Sequence, residues 1–170
     1  MKPLNDGNER IQLIQVGEWI VINAYLPCRG NHSHDEFCSN IDLLNEICTK
    51  YSKYNLVLAG DLNVDILKHE KERVKYIQNF LKTHGLKEFC ELNSPTLEAK
   101  IGSSKIDYIL TSTSLVQGSI YKILQPSPIN TSPHHALLLS MKNVEINEKK
   151  EKAVSIERIM WEKADIPLYF

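Results

Sequence analysis

The chain has 170 residues, 42% hydrophobic and 24% charged, with 20 basic and 21 acidic side chains and a net charge of −1. That is the size and make-up of one globular domain, or of one domain with a tail. It excludes a binder that reaches nucleic acid by net charge alone, and no apolar stretch approaches the length of a membrane span.

Met1 to Arg10 is a short polar stretch without the apolar core of a secretion signal. Ile11 to Val16 alternates weakly, and Glu18 to Leu26 is rich in β-branched and aromatic residues before Pro27. Together they predict a hairpin turning at Gly17-Glu18. Arg29 to His34 is polar and turn-like. From Asp35 the period changes, and Phe37, Ile41, Leu44, Ile47 and Cys48 fall on one helical face, with Ser33 or Asp35 as the cap. Asn55 to Asp61 reads as a buried strand. A second helix is predicted over Lys71 to Thr83, with Val74, Ile77, Phe80 and Leu81 inward and Gly85 as its stop. Leu86 to Ser94 is mixed, and Pro95 to Ser104 reads as a polar loop. Lys105 to Leu110 and Ser119 to Leu124 read as strands, Gln125 to Pro133 as a proline-interrupted loop, and His134 to Met141 as a last buried strand. Asn143 to Ala153 is a lysine–glutamate run, and Ser155 to Phe170 holds one amphipathic turn or two. The expected division is a domain over residues 8–142 and a charged linker with a short amphipathic tail over 143–170. Strands interleaved with helices predict an α/β (α+β) fold with a mixed sheet.

The four cysteines, Cys28, Cys38, Cys48 and Cys90, form no C-x-x-C pair, which argues against a zinc site. With no secretion signal they read as reduced thiols, and the location as intracellular, nuclear or cytoplasmic rather than secreted. The sequons at Asn31 and Asn130 then carry no weight.

The informative segment is Leu56-Val57-Leu58-Ala59-Gly60-Asp61-Leu62-Asn63-Val64-Asp65. A buried strand breaks at a glycine into an acid and an amide two residues apart. Two apart in an extended chain is one side, so Asp61 and Asn63 emerge together. Alone, they also fit a plain turn after a strand. Asp107 sits between Ile106 and Tyr108 in an apolar strand, where it needs a partner or a solvated face. His134 and His135 open the last strand, where a histidine is more often merely satisfied than catalytic.

The ordered set is more specific than its parts. Strand–Gly60-Asp61-x-Asn63, then Ile106-Asp107-Tyr108, then Ser132-Pro133-His134 before an apolar strand, resembles the endonuclease/exonuclease/phosphatase family. Asn23-Ala24-Tyr25-Leu26-Pro27 adds a match to that family's Asn-x-Tyr-x-Pro strand end. Asn93-Ser94-Pro95-Thr96, Ser103-Ser104-Lys105 and the tail Ile159 to Asp165 look like the LINE-type retrotransposon endonuclease branch. The resemblance implies a four-layer αββα sandwich, present here in part with its early strands missing. It implies a hydrolase cutting phosphodiester bonds of DNA with a divalent metal, usually magnesium. By the same resemblance Asp61 orients or deprotonates the attacking water, and Asn63 bonds that water or a phosphate oxygen. His134 donates to the phosphate, Asp107 fixes its tautomer, and Asn23 and Tyr25 face the substrate. The motifs themselves are shared with phosphoinositide phosphatases and sphingomyelinases, and the tail favours the nuclease reading.

Three departures from the family's pattern bear on activity, one of them Cys28, where many members have asparagine after the proline. Nothing before Ile11 supplies the family's early metal-binding glutamate, and Pro133 stands where its Ser-Asp-His motif has the aspartate. A one-residue slip would put His134 at the aspartate and His135 at the histidine. The metal ligands are therefore unassigned, and a non-catalytic remnant that binds nucleic acid weakly or serves as an interaction module is the competing expectation. An incomplete sandwich would also leave a sheet face lined by Trp19, Ile20, Ile22, Val57, Ile109 and Leu138, open to self-association.

Overall fold

The computed structural model describes residues 1–30, 34–68, 72–88, 94–99, 102–112, 119–124 and 132–141. The expected linker and tail, Cys90, Lys71, both sequon asparagines and most of the loop from Gln125 lie outside the described residues.

Alternation and a tight turn make the first hairpin. Strand β2 (Ile11–Val16) and strand β3 (Trp19–Tyr25) pair antiparallel, with Val16 opposite Trp19. Gly17 takes φ 60 at the turn, a value that costs a glycine little. Helix α1 (His34–Lys50) follows, and the five residues of its predicted face are all buried. It starts at His34, so Asp35 stands in its first turn, not at a cap. Strand β4 (Asn55–Asp61) then pairs parallel to β3, as a strand–helix–strand crossover requires. Helix α2 (Glu72–Thr83) buries Val74, Ile77, Phe80 and Leu81, and Gly85 beyond it has φ 62. Strand β5 (Leu86–Glu88) and strand β8 (Asp107–Ser112), with an edge strand β1 (Lys2–Leu4), complete a six-stranded sheet, ordered β1-β2-β3-β4-β8-β5.

The other elements depart from expectation. Lys2–Leu4 forms strand β1 at the sheet edge, paired with β2. Three mixed residues give no periodic signal, and Pro3 is tolerated because edge strands leave one side unpaired. The supposed polar loop is a hairpin of β6 (Leu97–Ala99) and β7 (Gly102–Ser104). The predicted strand from Lys105 begins two residues later, at Asp107. Strand β9 (Ile120–Ile123) pairs with β10 (Leu137–Ser140) in a separate two-stranded sheet. β10 is half exposed rather than buried, with Leu138 44% exposed.

One face of the main sheet is covered by the two helices. Ile11, Leu13, Ile20, Ile22, Leu56, Leu58 and Leu110 join Phe37, Leu44, Ile77 and Phe80 in a single buried cluster. The other face carries the site. Strand parity decides which residue goes where. Trp19 and Ile20 are neighbours and cannot share a face, so the expected open surface needs correction. Ile20 and Ile22 lie under the helices, and Val57 is buried as well. Trp19 and Ile109 are half-buried on the opposite face, and Leu138 belongs to the small sheet.

Candidate active site

Register brings the site together. Tyr25 pairs with Asp61 across β3 and β4, and Asp61 with Asp107 across β4 and β8. The three form one row across adjacent strands, and Asn23 heads the next row, paired with Ala59. Asn23 and Tyr25 are exposed, on the face away from the helices. Gly60 is what lets β3 and β4 close at this end. Its φ is 133, and an added Cβ would stand 2.1 Å from the Ala24 carbonyl oxygen.

Asn63 follows in a left-handed conformation, φ 50. Asparagine tolerates this better than most residues, and local bonds offset the cost. Its backbone N–H donates to Asp61 Oδ1 at 2.9 Å, and its Nδ2 donates to the Leu26 carbonyl at 2.9 Å and to Asp61 Oδ2 at 3.1 Å. Asp61 and Asn63 are therefore one bonded unit. Burial pushes the Asp61 carboxyl above its ordinary value. Asn63's backbone bond pulls it back, Asp107 raises it, and His134 and Asn63's side chain lower it.

His134 Nδ1 lies 3.1 and 3.0 Å from the two Asp107 carboxylate oxygens. Facing an acceptor, Nδ1 carries the proton in the neutral ring, which leaves Nε2 to serve as a base, or as an acid when the ring is charged. The neighbouring His135 places its Nε2 3.8 Å from Glu98 and lines the cleft beside the cluster. His134 is thus the histidine that faces Asp107. Asp61, Asp107 and His134 offer ligand atoms that all lie within 4.8 Å of one another.

The hairpin β6–β7 is the part that sequence reading missed. Thr96 is fully buried, and its Oγ1 accepts from the backbone N–H of Ile106 and of Asp107, at 3.1 and 3.0 Å. Its carbonyl accepts from His135 N at 2.7 Å, and Glu98 N donates to the Pro133 carbonyl at 3.0 Å. So one hairpin clamps both members of the His–Asp pair. The available signal was a threonine directly after Ser94-Pro95, with Gly102 six residues on to turn the chain.

A cleft of about 230 Å³ beside this cluster is lined by Ala59, Asp61, Asp107, Ile109, His135 and Leu137, among others. A second, of about 250 Å³, is lined by Arg29, Asn63, Asp65 and Lys68 with four neighbours.

Residues 19–138 match a family model described as endonuclease-reverse transcriptase. Comparison with curated proteins gives no match. Solved structures give several. A 3' phosphatase from Neisseria, bound to a product DNA hairpin, is similar at 17% identity and TM-score 0.65, over 78% of this chain and 64% of that one. An AP endonuclease from Archaeoglobus fulgidus is similar at 15% identity and TM-score 0.63, over 78% and 65%. The endonuclease domain of TRAS1, a telomere-specific non-LTR retrotransposon, is similar at 16% and TM-score 0.60, over 79% and 64%. This chain therefore spans slightly less than two thirds of each of those chains, and at these identities the likeness is one of fold. Family match and fold agree: the chain belongs to the endonuclease/exonuclease/phosphatase family, in its endonuclease-reverse transcriptase branch.

Proposed function

We propose that this chain carries the phosphate-facing part of a phosphodiesterase site that acts on DNA. The His134–Asp107 pair beside the Asp61–Asn63 unit is the observation behind this reading. Hydrolysis needs a water that loses a proton, charge neutralised on the phosphoryl oxygens, and help for the leaving oxygen. A carboxyl raised by burial, as at Asp61, suits proton acceptance from water. Asn63 holds that carboxylate in place. His134, fixed by Asp107, donates from Nε2–H to a phosphate oxygen when its ring is charged. Tyr25, in the same row as Asp61, offers its hydroxyl to the substrate, and Asn23 stands one row back. DNA as substrate is supported by the structural neighbours, among them a DNA-bound phosphatase and a retrotransposon endonuclease domain.

The residues fit a divalent cation. Asp61 and Asp107 bring two carboxylates into one row, with ligand oxygens within 4.8 Å of one another. Magnesium is held by one or two carboxylates plus water and phosphate. When bound, such an ion supplies neutralisation of the phosphate charge. Asp61 and Asp107 are the residues that would hold it, which leaves His134 to the phosphate.

Plasmid nicking with magnesium tests the proposal. Nicking above the level of an Asp61→Ala, His134→Ala double variant is expected. Equality of the two would reject turnover. It would favour the second reading, binding without cleavage, which Pro133 in place of a carboxylate supports.

A further inference from the structure

The hairpin holds His134 and Asp107 through backbone neighbours, but the two side chains come from different sheets. Asp107 opens β8 in the main sheet, and His134 leads into β10 in the small one. Their contact therefore depends on how the small sheet sits on the large one. Of the residues in β9 and β10, only Tyr121 is buried. Its hydroxyl donates to Glu88 Oε1 at 3.4 Å.

Glu88 ends β5, beside β8, and its other oxygen accepts from Lys105 Nζ at 2.6 Å. Lys105 stands two residues before Asp107. The Lys105 and Glu88 side chains are 4% and 9% exposed, so both charges are out of water. Lys105 Nζ also lies 5.5 Å from the centre of the Tyr108 ring. The Lys105 carbonyl accepts from the Tyr108 hydroxyl at 2.8 Å, and that hydroxyl accepts from Ile66 N–H at 3.1 Å. Ile66 lies in the segment that follows Asp61 and Asn63. One residue thus ties three parts of the site. The Lys105 ammonium reaches the small sheet through Glu88 and Tyr121, its carbonyl reaches the Asp61 segment through Tyr108, and its chain runs into Asp107.

Stability does not account for such a pair. Taking an ammonium and a carboxylate out of water costs about as much as their attraction returns, and well-packed apolar replacements are often as stable or more so. What a charge-assisted bond adds is direction. Apolar side chains of the same volume can slide past one another, and a short ion pair cannot.

We propose that Lys105 and Glu88 are positioning residues: their buried ion pair, with Tyr121, seats the small sheet so that His134 Nδ1 faces Asp107. The effect on cleavage rests on the phosphodiesterase reading, and the orientation of the ring does not.

The double variant Glu88→Leu, Lys105→Met removes both charges together. Urea unfolding should show it as stable as the parent or more so. Long-range proton–nitrogen NMR of the neutral rings, with His134→Ala to assign the signals, reads the imidazole tautomer. His134 should hold its proton on Nδ1 in the parent and on a mixture of both nitrogens in the double variant. Magnesium-dependent nicking should lose about tenfold or more in kcat with KM little changed, the scale of a small misplacement. A folded double variant that keeps the parent's His134 tautomer would overturn the proposal, whatever its nicking rate. A shifted tautomer in a chain whose parent does not nick would uphold the seating and count against the phosphodiesterase reading. Should the double variant fail to fold, Tyr121→Phe decides, because it keeps the ion pair and deletes the hydroxyl from the small sheet. His134 should then show both tautomers, and a parent-like signal would overturn the proposal.

Discussion

Asp61 is where the sheet's geometry and the chemistry meet. A carboxylate at a strand end is normally solvated, but here one side is taken by Asn63 and the rest is half-buried beside Asp107. Burial, the largest influence, raises its carboxyl in the folded chain. The sign of the consequence is fixed. A raised carboxyl contributes stability below its unfolded value, and that contribution is lost as pH rises through the folded value. Replacing it with an amide removes the titration. The melting temperature of Asp61→Asn relative to the parent should therefore shift in the variant's favour as pH rises from about 3 to about 7, whatever its constant offset. Thermal melts across that range check it, and a difference flat with pH would contradict the burial argument. In the nicking assay the same variant should lose about 100-fold or more, the usual scale for removing a proton acceptor.

At the scale of elements, the hairpin β6–β7 does for His134 and Asp107 what Asn63 does for Asp61. Thr96 Oγ1 accepts from two backbone N–H groups, one of them Asp107's own, and Thr96 is itself fully buried. Thr96→Val keeps the shape and deletes the acceptor, leaving two buried donors unpaired. Such a loss costs about 1–3 kcal/mol. Urea unfolding should show that loss for Thr96→Val and recovery for Thr96→Ser, which restores the oxygen. Valine matching serine would mean the hydroxyl contributes nothing. The contrast between this hairpin and the rest shows what the sequence discloses. Helices α1 and α2 were legible because five and four apolar residues mark one face of each. Strand β4 was legible because an unbroken apolar run ends at Gly60. The short strands β1, β6 and β7 hold three residues each, too few for a period, and tertiary pairing decides them. Asp61, Asn63, Asp107 and His134 were nameable through motif order. That Thr96 joins them was not, because its bonds run to backbone groups ten and eleven residues away.

At the scale of the molecule, charge limits how the chain can hold DNA. Its net charge is −1, and the cations near the site are partly committed. Arg10 pairs with Glu36 at 3.0 Å while lying over the Tyr25 ring, and Lys68 pairs with Asp65 at 3.2 Å. Arg29 lines the cleft beside Asn63. Asp61 and Asp107 repel a phosphate unless a cation stands between. Few phosphates can then be neutralised by side chains, and each one neutralised contributes a slope of about −0.9 to the dependence of log affinity on log salt. A fluorescent duplex titrated at several salt concentrations, with calcium replacing magnesium to prevent turnover, should give a slope no steeper than roughly −3, about three phosphates. Removing the divalent ion should weaken binding further, because the paired carboxylates then face the phosphate unscreened. Arg29→Ala should make the slope shallower by about one unit. A steep slope in the parent, or binding indifferent to the divalent ion, would mean that the chain grips DNA by a surface other than the Asp61–His134 site.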